Sequence, residues 1–103
     1  MKKKNYYDYG QTLELLQIGN SMRRKAWEEG KFITMQMGTR VPSDVIPKMT
    51  SLSNTAKDIL ISRNAQYIEY KEQILLVNAK NQATNYIPSM EDTFAPDWEI
   101  MEY

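Results

Sequence analysis

Residues 8–19 have the sequence DYGQTLELLQIG, which contains the start, the apolar face and the end of one helix. Asp8 and Gln11 have the spacing of a capping box, because the carboxylate can accept free amide hydrogens while the glutamine side chain reaches back. Leucines follow at helical spacing, and Gly19 can take the positive φ that ends a helix. The stretch therefore predicts a helix over about 9–18.

Two strands are predicted after this helix. The first covers about 21–24, and the second covers 33–37, where apolar and polar side chains alternate as in a half-buried strand. Residues 26–30 would form the hairpin connection between them. The segment 38–47 contains two prolines and is predicted to be loose, because proline resists both helix interiors and central strands.

The rest of the chain predicts a second helix and a series of strands. The expected elements are a helix near 53–63, strands at 66–70, 74–78 and 84–87, a helical turn from 88 to 94 and a last strand at 98–101. This order predicts an α+β fold, a small single domain with an N-terminal helix, an antiparallel sheet of about five strands and a short second helix. One domain is expected over 1–103, with residues 1–6 flexible, because the chain is too short for two independent cores.

The composition argues against several classes of function. Lys and Arg total 13, as do Asp and Glu, so no global field draws the chain to DNA, RNA or an anionic membrane. The absence of cysteine and histidine removes thiol nucleophiles, imidazole bases and Cys/His metal sites. The apolar run at 74–77 is too short to span a membrane, and Asn5 follows the first lysines where a signal peptide needs apolar residues. We therefore expect a cytosolic protein without a metal.

An enzymatic function is disfavoured by the placement of the acids. The adjacent pairs are Glu28 with Glu29 and Glu91 with Asp92. Neighbouring side chains of a strand face apart, so neither pair is expected to form a catalytic dyad.

Three stretches of the chain resemble a known family. The first has YGQTLELLQIG at 9–19 running into MRRKAW at 22–27, the second has ILLVN at 74–78, and the third, which is the most specific, has YIPSMEDTFAPDWE at 86–99. They resemble the phage type II Thoeris anti-defence family, whose members are sponge proteins that bind cyclised ADP-ribose signals.

The resemblance implies a protein that binds and sequesters a cyclic nucleotide immune signal in the host cytoplasm, without cleaving it and without a cofactor. The signal would be of the glycocyclic ADP-ribose type or a cyclic oligonucleotide. A homo-oligomer is also implied, expected to be a tetramer built from dimers. The chain departs from the family at 26–29, where members often have Gly-Trp-Asn-Gly, and at Tyr86, where they have tryptophan.

A ligand of this kind offers a purine face, two sugars and a pyrophosphate, and each needs a different type of side chain. Purines stack on aromatic rings, pyrophosphate is bound by Arg or by amides at a helix start, and ribose hydroxyls pair with Asn, Asp or Thr. The predicted ligand residues are those of these types in or beside the three stretches, namely Tyr7, Tyr9, Arg23, Arg24, Trp27, Thr84, Asn85, Tyr86 and Asp92.

Several of the aromatic and charged residues also have a purely structural interpretation. Trp98 lies in an alternating strand and is assigned to the core. Trp27 can be a packing anchor or a ligand platform, and Asp92 can simply stabilise a helix start. Strand alternation sends Arg23 and Arg24 to opposite faces, so at most one is expected at a pocket while the other is solvated.

A second function remains open from the sequence. The chain can be a phage accessory protein that inhibits a host protein by direct binding through a sheet edge or a Met-rich face. Met35 and Met37 have strand spacing, which is typical of a core or a subunit interface.

Overall fold

The computed structural model describes residues 4–103. They form two compact units, one comprising the described residues up to Gln36 together with Gln73–Tyr103, the other Met37–Glu72. Residues 1–6 are predicted to be flexible, and residues 1–3 of this stretch lie outside the described residues. The single domain over 1–103 stays a prediction.

The elements follow the predicted order of helices and strands. They are α1 (Tyr9–Gln17), β1 (Met22–Arg24), β2 (Phe32–Gln36), β3 (Thr39–Pro42), a 3₁₀ turn (Ile46–Lys48), α2 (Asn54–Ser62), β4 (Tyr67–Tyr70), β5 (Gln73–Val77), β6 (Ala83–Asn85), α3 (Met90–Phe94) and β7 (Trp98–Ile100). The α+β fold with an N-terminal helix, a five-stranded antiparallel sheet and a short second helix is confirmed.

Helix α1 begins and ends as its sequence predicts. The Asp8 carboxylate accepts the Gln11 amide hydrogen at 2.8 Å, and the Gln11 side chain accepts the Asp8 amide hydrogen at 3.0 Å, which completes the capping box. The helix stops before Gly19, which has a φ of 106°. Thr12 and Leu16 are the buried residues of α1.

The first unit contains a five-stranded sheet in the order β6-β5-β2-β1-β7, with every neighbouring pair antiparallel. Helix α1 contacts β1, β2 and β7 on one face of this sheet, and it also contacts α3. Between these layers lies a core of buried side chains, Leu16, Met22, Ile33, Ala95 and Trp98. The core is therefore built around Trp98, which is fully buried as predicted.

The second unit pairs β3 with β4 in a two-stranded antiparallel sheet. The prediction that 38–47 is loose is wrong for 39–42, because Pro42 ends an edge strand, where a missing amide hydrogen is tolerated. A side chain at Gly38 would bring its Cβ to 2.7 Å from the Tyr70 carbonyl, so this close approach requires glycine. Helix α2 is capped by Ser53, whose hydroxyl accepts the amide hydrogen of Ala56 at 3.2 Å.

The turn to α3 differs slightly from its prediction. The helix begins at Met90 rather than at Pro88, because the Ser89 hydroxyl accepts the Asp92 amide hydrogen at 3.0 Å and acts as the N-cap. Among residues 4–103, no helix is long and apolar enough to cross a membrane.

Candidate functional site

Arg24 is the centre of an ion-pair cluster at the end of β1. Its Nε donates to Asp97 Oδ1 at 2.8 Å, and its Nη1 donates to Asp92 Oδ1 at 3.0 Å and lies 3.4 Å from Glu91 Oε1. Its side chain is only 10% exposed, so the charge is held by carboxylates in place of water. These contacts join the end of β1, helix α3 and the residue before β7.

Asp92 connects this cluster to the aromatic side chains. Tyr86 Oη donates to Asp92 Oδ2 at 2.9 Å, and the indole Nε1 of Trp98 donates to the backbone carbonyl of Asp92 at 2.9 Å. The carboxylate thus has one oxygen for Arg24 and one for Tyr86. Its position in the first turn of α3 is also favourable for an acid.

Three aromatic rings pack edge to face or tilted around Trp98. The ring centroid of Trp98 lies 5.1 Å from that of Trp27, 5.6 Å from that of Tyr9 and 6.4 Å from that of Tyr86. The Trp27 and Tyr86 centroids are 6.0 Å apart. Trp98 is buried, whereas Tyr9, Trp27 and Tyr86 are half-buried, so these three rings combine contact with the core and access to solvent.

The turn after β1 holds Trp27 by its backbone on both sides. The Trp27 amide hydrogen is donated to the Arg24 carbonyl at 3.0 Å, and Arg23 Nη2 donates to the Trp27 carbonyl at 2.7 Å. Asp97 Oδ2 accepts the amide hydrogen of Ala26 at 3.2 Å. Trp27 is thereby fixed relative to the ion-pair cluster.

The structure brings five of the nine predicted ligand residues together, Tyr9, Arg24, Trp27, Tyr86 and Asp92, and Arg23 touches this group at the Trp27 carbonyl. The remaining three, Tyr7, Thr84 and Asn85, do not all face it. The backbone of Tyr7 pairs with that of Trp98 through two hydrogen bonds. Thr84 pairs with Leu76, which packs against the core, whereas Asn85 pairs with Leu75 and so points to the opposite face of the sheet.

Two expectations about charged residues are corrected. One of the two arginines was expected to be solvated, but the side chains of Arg23 and Arg24 are 15% and 10% exposed, and Arg23 Nε lies 3.5 Å from Glu99 Oε1. Glu91 and Asp92 were expected to face apart as in a strand, but they lie in the first turn of α3 and both reach Arg24. Consecutive residues of a helix are about 100° apart rather than opposite, which allows this convergence.

The cluster shifts the proton affinities of its members. Burial would raise the pKa of Asp92, but hydrogen bonds from Arg24 and Tyr86 hold it below its ordinary value of 3.8. Burial would also raise the pKa of Asp97, but the hydrogen bond and the charge of Arg24 and the amide hydrogen of Ala26 together lower it. Burial first, and the neighbouring Asp92 second, raise the pKa of both Tyr9 and Tyr86 above 10.0.

Three side chains of this region were not predicted from the sequence. Asp97 and Glu91 were passed over because a sequence does not show which acids meet Arg24, although Asp97 belongs to the DWE motif at 97–99. Lys31 was also missed. Its Nζ lies 4.8 Å from the Trp27 ring centroid, and the four-residue separation from Trp27 was its only signal.

Two hollows in the described chain lie away from this cluster. One of about 490 Å³ in the first unit is lined by Gly19, Asn20, Ser21, Phe32, Ile100, Met101 and Tyr103. Another of about 190 Å³ in the second unit is lined by Ser43, Ile46, Leu60, Ile61, Asn64 and Ala65. Neither hollow contains a predicted ligand residue.

These features define a class of protein: a small α+β domain that carries an aromatic and ionic cluster on one face of an antiparallel sheet. The chain belongs to the Tad2-like family (Thoeris anti-defense 2-like domain), whose model matches residues 7–101. Membership supports a role in phage anti-defence against Thoeris. A search of curated proteins found no match.

Proposed function

We propose that the chain binds and sequesters a cyclic nucleotide signal of the glycocyclic ADP-ribose type in the host cytoplasm. The observation that carries this proposal is the half-buried pair Trp27 and Tyr86, 6.0 Å apart, in a chain of an anti-defence family. Exposed aromatic surface binds a purine by stacking. Asp92 and Thr84 are the hydrogen-bonding partners proposed for sugar or base.

The proposal includes capture without cleavage. The carboxylates beside the aromatic pair have pKa values held below 3.8, and the phenol of Tyr86 has a raised pKa, so neither type of group exchanges protons readily near neutral pH. Ionic contacts to Arg24 further occupy the acids. The cluster therefore favours binding over acid–base catalysis.

Capture and cleavage are distinguished by recovering the ligand. Protein is incubated with a stoichiometric amount of a cyclic ADP-ribose isomer, heated until it unfolds, and the released nucleotide is analysed by mass spectrometry. The same isomer at unchanged mass supports the proposal. A linearised or hydrolysed product would identify an enzyme instead.

Affinity is tested separately by calorimetric titration with a panel of cyclic ADP-ribose isomers and cyclic dinucleotides. We expect heat of binding for at least one cyclic ADP-ribose isomer. Absence of binding to every member of the panel would contradict the proposed function.

A homotetramer built from dimers is part of the proposal, supported by the resemblance and by the small size of the chain. Symmetry would then place identical sites at related positions of the assembly. Light scattering at micromolar concentration measures the mass directly. A monomer mass would remove this element of the proposal.

Inhibition of a host protein is the second candidate function, and one observation favours it. Ile87, Met90 and Phe94 are 85%, 76% and 77% exposed and lie just before and within helix α3, which also contains Asp92. Exposed apolar side chains grouped in this way are typical of protein-binding surfaces. If a double variant with serine at Ile87 and Phe94 loses anti-defence activity while keeping nucleotide binding, this second function is supported.

A further inference from the structure

The charge balance around Arg24 is unfavourable for a phosphate. Its guanidinium is the cation shared by Glu91, Asp92 and Asp97, with nitrogen–oxygen distances of 3.4, 3.0 and 2.8 Å. One positive charge among three carboxylates leaves this part of the site with a negative balance. A pyrophosphate placed against Arg24 would be repelled by this net negative charge.

Arg23 is also already bound to partners within the protein. Its Nη2 donates to the Trp27 carbonyl at 2.7 Å, and its Nε lies 3.5 Å from Glu99 Oε1. In the register of β1 and β7, Arg23 is opposite Glu99 while Arg24 is opposite Trp98, so Arg23 belongs to the other face of the sheet. Neither arginine is therefore free to bind an anion beside the Trp27 ring.

Lys31 is placed differently from both arginines. Its ammonium lies over the Trp27 ring, 4.8 Å from the centroid. Within residues 4–103, the ion pairs at 4.0 Å or less join other cations to carboxylates and do not include Lys31. The contact found for its ammonium among these residues is the π face of Trp27, a contact that an anion can supplement or replace.

The backbone of the 28–31 turn fixes this placement. The Lys31 amide hydrogen is donated to the Glu28 carbonyl at 3.3 Å, and Gly30 has a φ of 90°. A Cβ at Gly30 would lie 3.1 Å from the Cβ of Ala79, so the turn fits closely against the loop after β5. The turn fixes the position of the Lys31 backbone, while the flexible side chain of Lys31 allows its ammonium to move.

We infer that Lys31, rather than Arg23 or Arg24, binds the phosphate groups of a nucleotide at this site. The purine stacks on the exposed aromatic surface of Trp27 and Tyr86, and the ammonium contacts the pyrophosphate beside it. This assignment rests on the proposed function for the location of the ligand. What it adds is the residue that makes the site prefer anionic ligands, namely Lys31.

The test separates phosphate recognition from base recognition. Adenosine, ADP and cyclic ADP-ribose are titrated into the wild type and into Lys31→Ala, Lys31→Arg and Lys80→Ala. Lys80 is an exposed lysine in the turn before β6, so its variant is a control for the loss of one positive charge. Melting temperatures are measured for all variants to confirm that they fold.

For Lys31→Ala we expect about a tenfold loss of affinity for ADP and cyclic ADP-ribose and little change for adenosine, as for the loss of one charge-assisted contact. Lys31→Arg should restore most of the affinity, and Lys80→Ala should behave as the wild type. The ADP affinity of the wild type should also fall with added salt more steeply than that of Lys31→Ala.

The inference is overturned if Lys31→Ala binds ADP as tightly as the wild type, or if the wild type binds ADP no better than adenosine. The proposed function fails by a different result, namely no binding of any cyclic ADP-ribose isomer. A chain that binds ADP through Lys31 but no cyclic isomer would keep the lysine assignment and lose the proposed signal.

Discussion

The phenol of Tyr86 donates a hydrogen bond of 2.9 Å to Asp92, and this contact ties an aromatic ring of the candidate site to the ion-pair cluster. Arg24 donates to the other oxygen of the same carboxylate, and Trp98 donates to its backbone carbonyl. One aspartate therefore sets the positions of a phenol, a guanidinium and an indole. A ligand group that donates to the Asp92 carboxylate must therefore share its oxygens with Arg24 and Tyr86, or displace one of these two donors.

Removing only the hydroxyl tests this connection. Tyr86→Phe keeps the ring but leaves Asp92 without one donor, and a hydrogen bond to a charged group contributes about 1.5–3 kcal/mol. We expect a loss of this size in the free energy of unfolding, measured by urea denaturation. Tyr67→Phe, at a 43% exposed tyrosine of the second unit, is the matched control and should change it by about 0.5 kcal/mol or less.

The aromatic pair is tested by truncation. Trp27→Ala should weaken binding of the cyclic ADP-ribose isomer by about 1–3 kcal/mol, roughly tenfold to a hundredfold, because a stacking surface is lost. Since the substitution also leaves a cavity, the melting temperature must be measured beside the affinity. The proposed site is wrong if Trp27→Ala and Tyr86→Ala both keep the melting temperature and the affinity of the wild type.

The importance of the buried guanidinium is tested with Arg24→Met. This change keeps most of the side-chain volume but leaves three carboxylates without their shared cation. Breaking a buried ion pair on one side costs about 3–5 kcal/mol, so we expect a large fall in the free energy of unfolding. Arg40→Met removes a 63% exposed partner of Glu69 and should cost at most about 1 kcal/mol. A loss of about 1 kcal/mol or less for Arg24→Met would show that the Arg24 cluster stabilises the fold no more than an exposed ion pair does.

Local patterns in the sequence were sufficient for most of the fold. The capping box at Asp8 and Gln11 and the glycine stop of α1 depend on residues a few positions apart, so they could be predicted. Strand β3 was missed because its partner, residues 67–70, is remote in sequence and because Pro42 argued against a strand. Its pairing is a tertiary contact that periodicity does not contain.

The site was predictable as a set of residue types but not as a set of contacts. Aromatic residues and arginines in the motifs marked the region, and alternation correctly separated Arg23 from Arg24. The partners of Arg24 are 67 to 73 residues further along the chain, which no local pattern reveals. That separation is the reason why one of Arg23 and Arg24 was expected at a pyrophosphate, since the sequence gives no sign of the acids that bind Arg24.

Acid should weaken the cluster in a defined range of pH. Asp92 and Asp97 have folded-state pKa values below 3.8, so the stability that they contribute is present above that pH and is lost as the pH falls through the folded values. Asp97→Asn should therefore be less stable than the wild type at pH 6, with the difference shrinking as the pH falls below 3.8. Thermal melts of both proteins at pH 6 and at a pH below 3.8 measure this difference in stability. A difference that stays constant would mean that Asp97 titrates normally.

Alkali should act on the phenols in the opposite sense. The folded-state pKa of Tyr86 lies above 10.0, so the neutral form is favoured by folding, and its contribution is present below pH 10.0 and lost as the pH rises above it. The stability gap between the wild type and Tyr86→Phe should thus narrow above pH 10.0, because only the wild type gains an ionised Tyr86 phenol on unfolding. Lysines titrate in both proteins, so the subtraction cancels their effect. A gap that is unchanged or wider above pH 10.0 would contradict the burial of this phenol against Asp92.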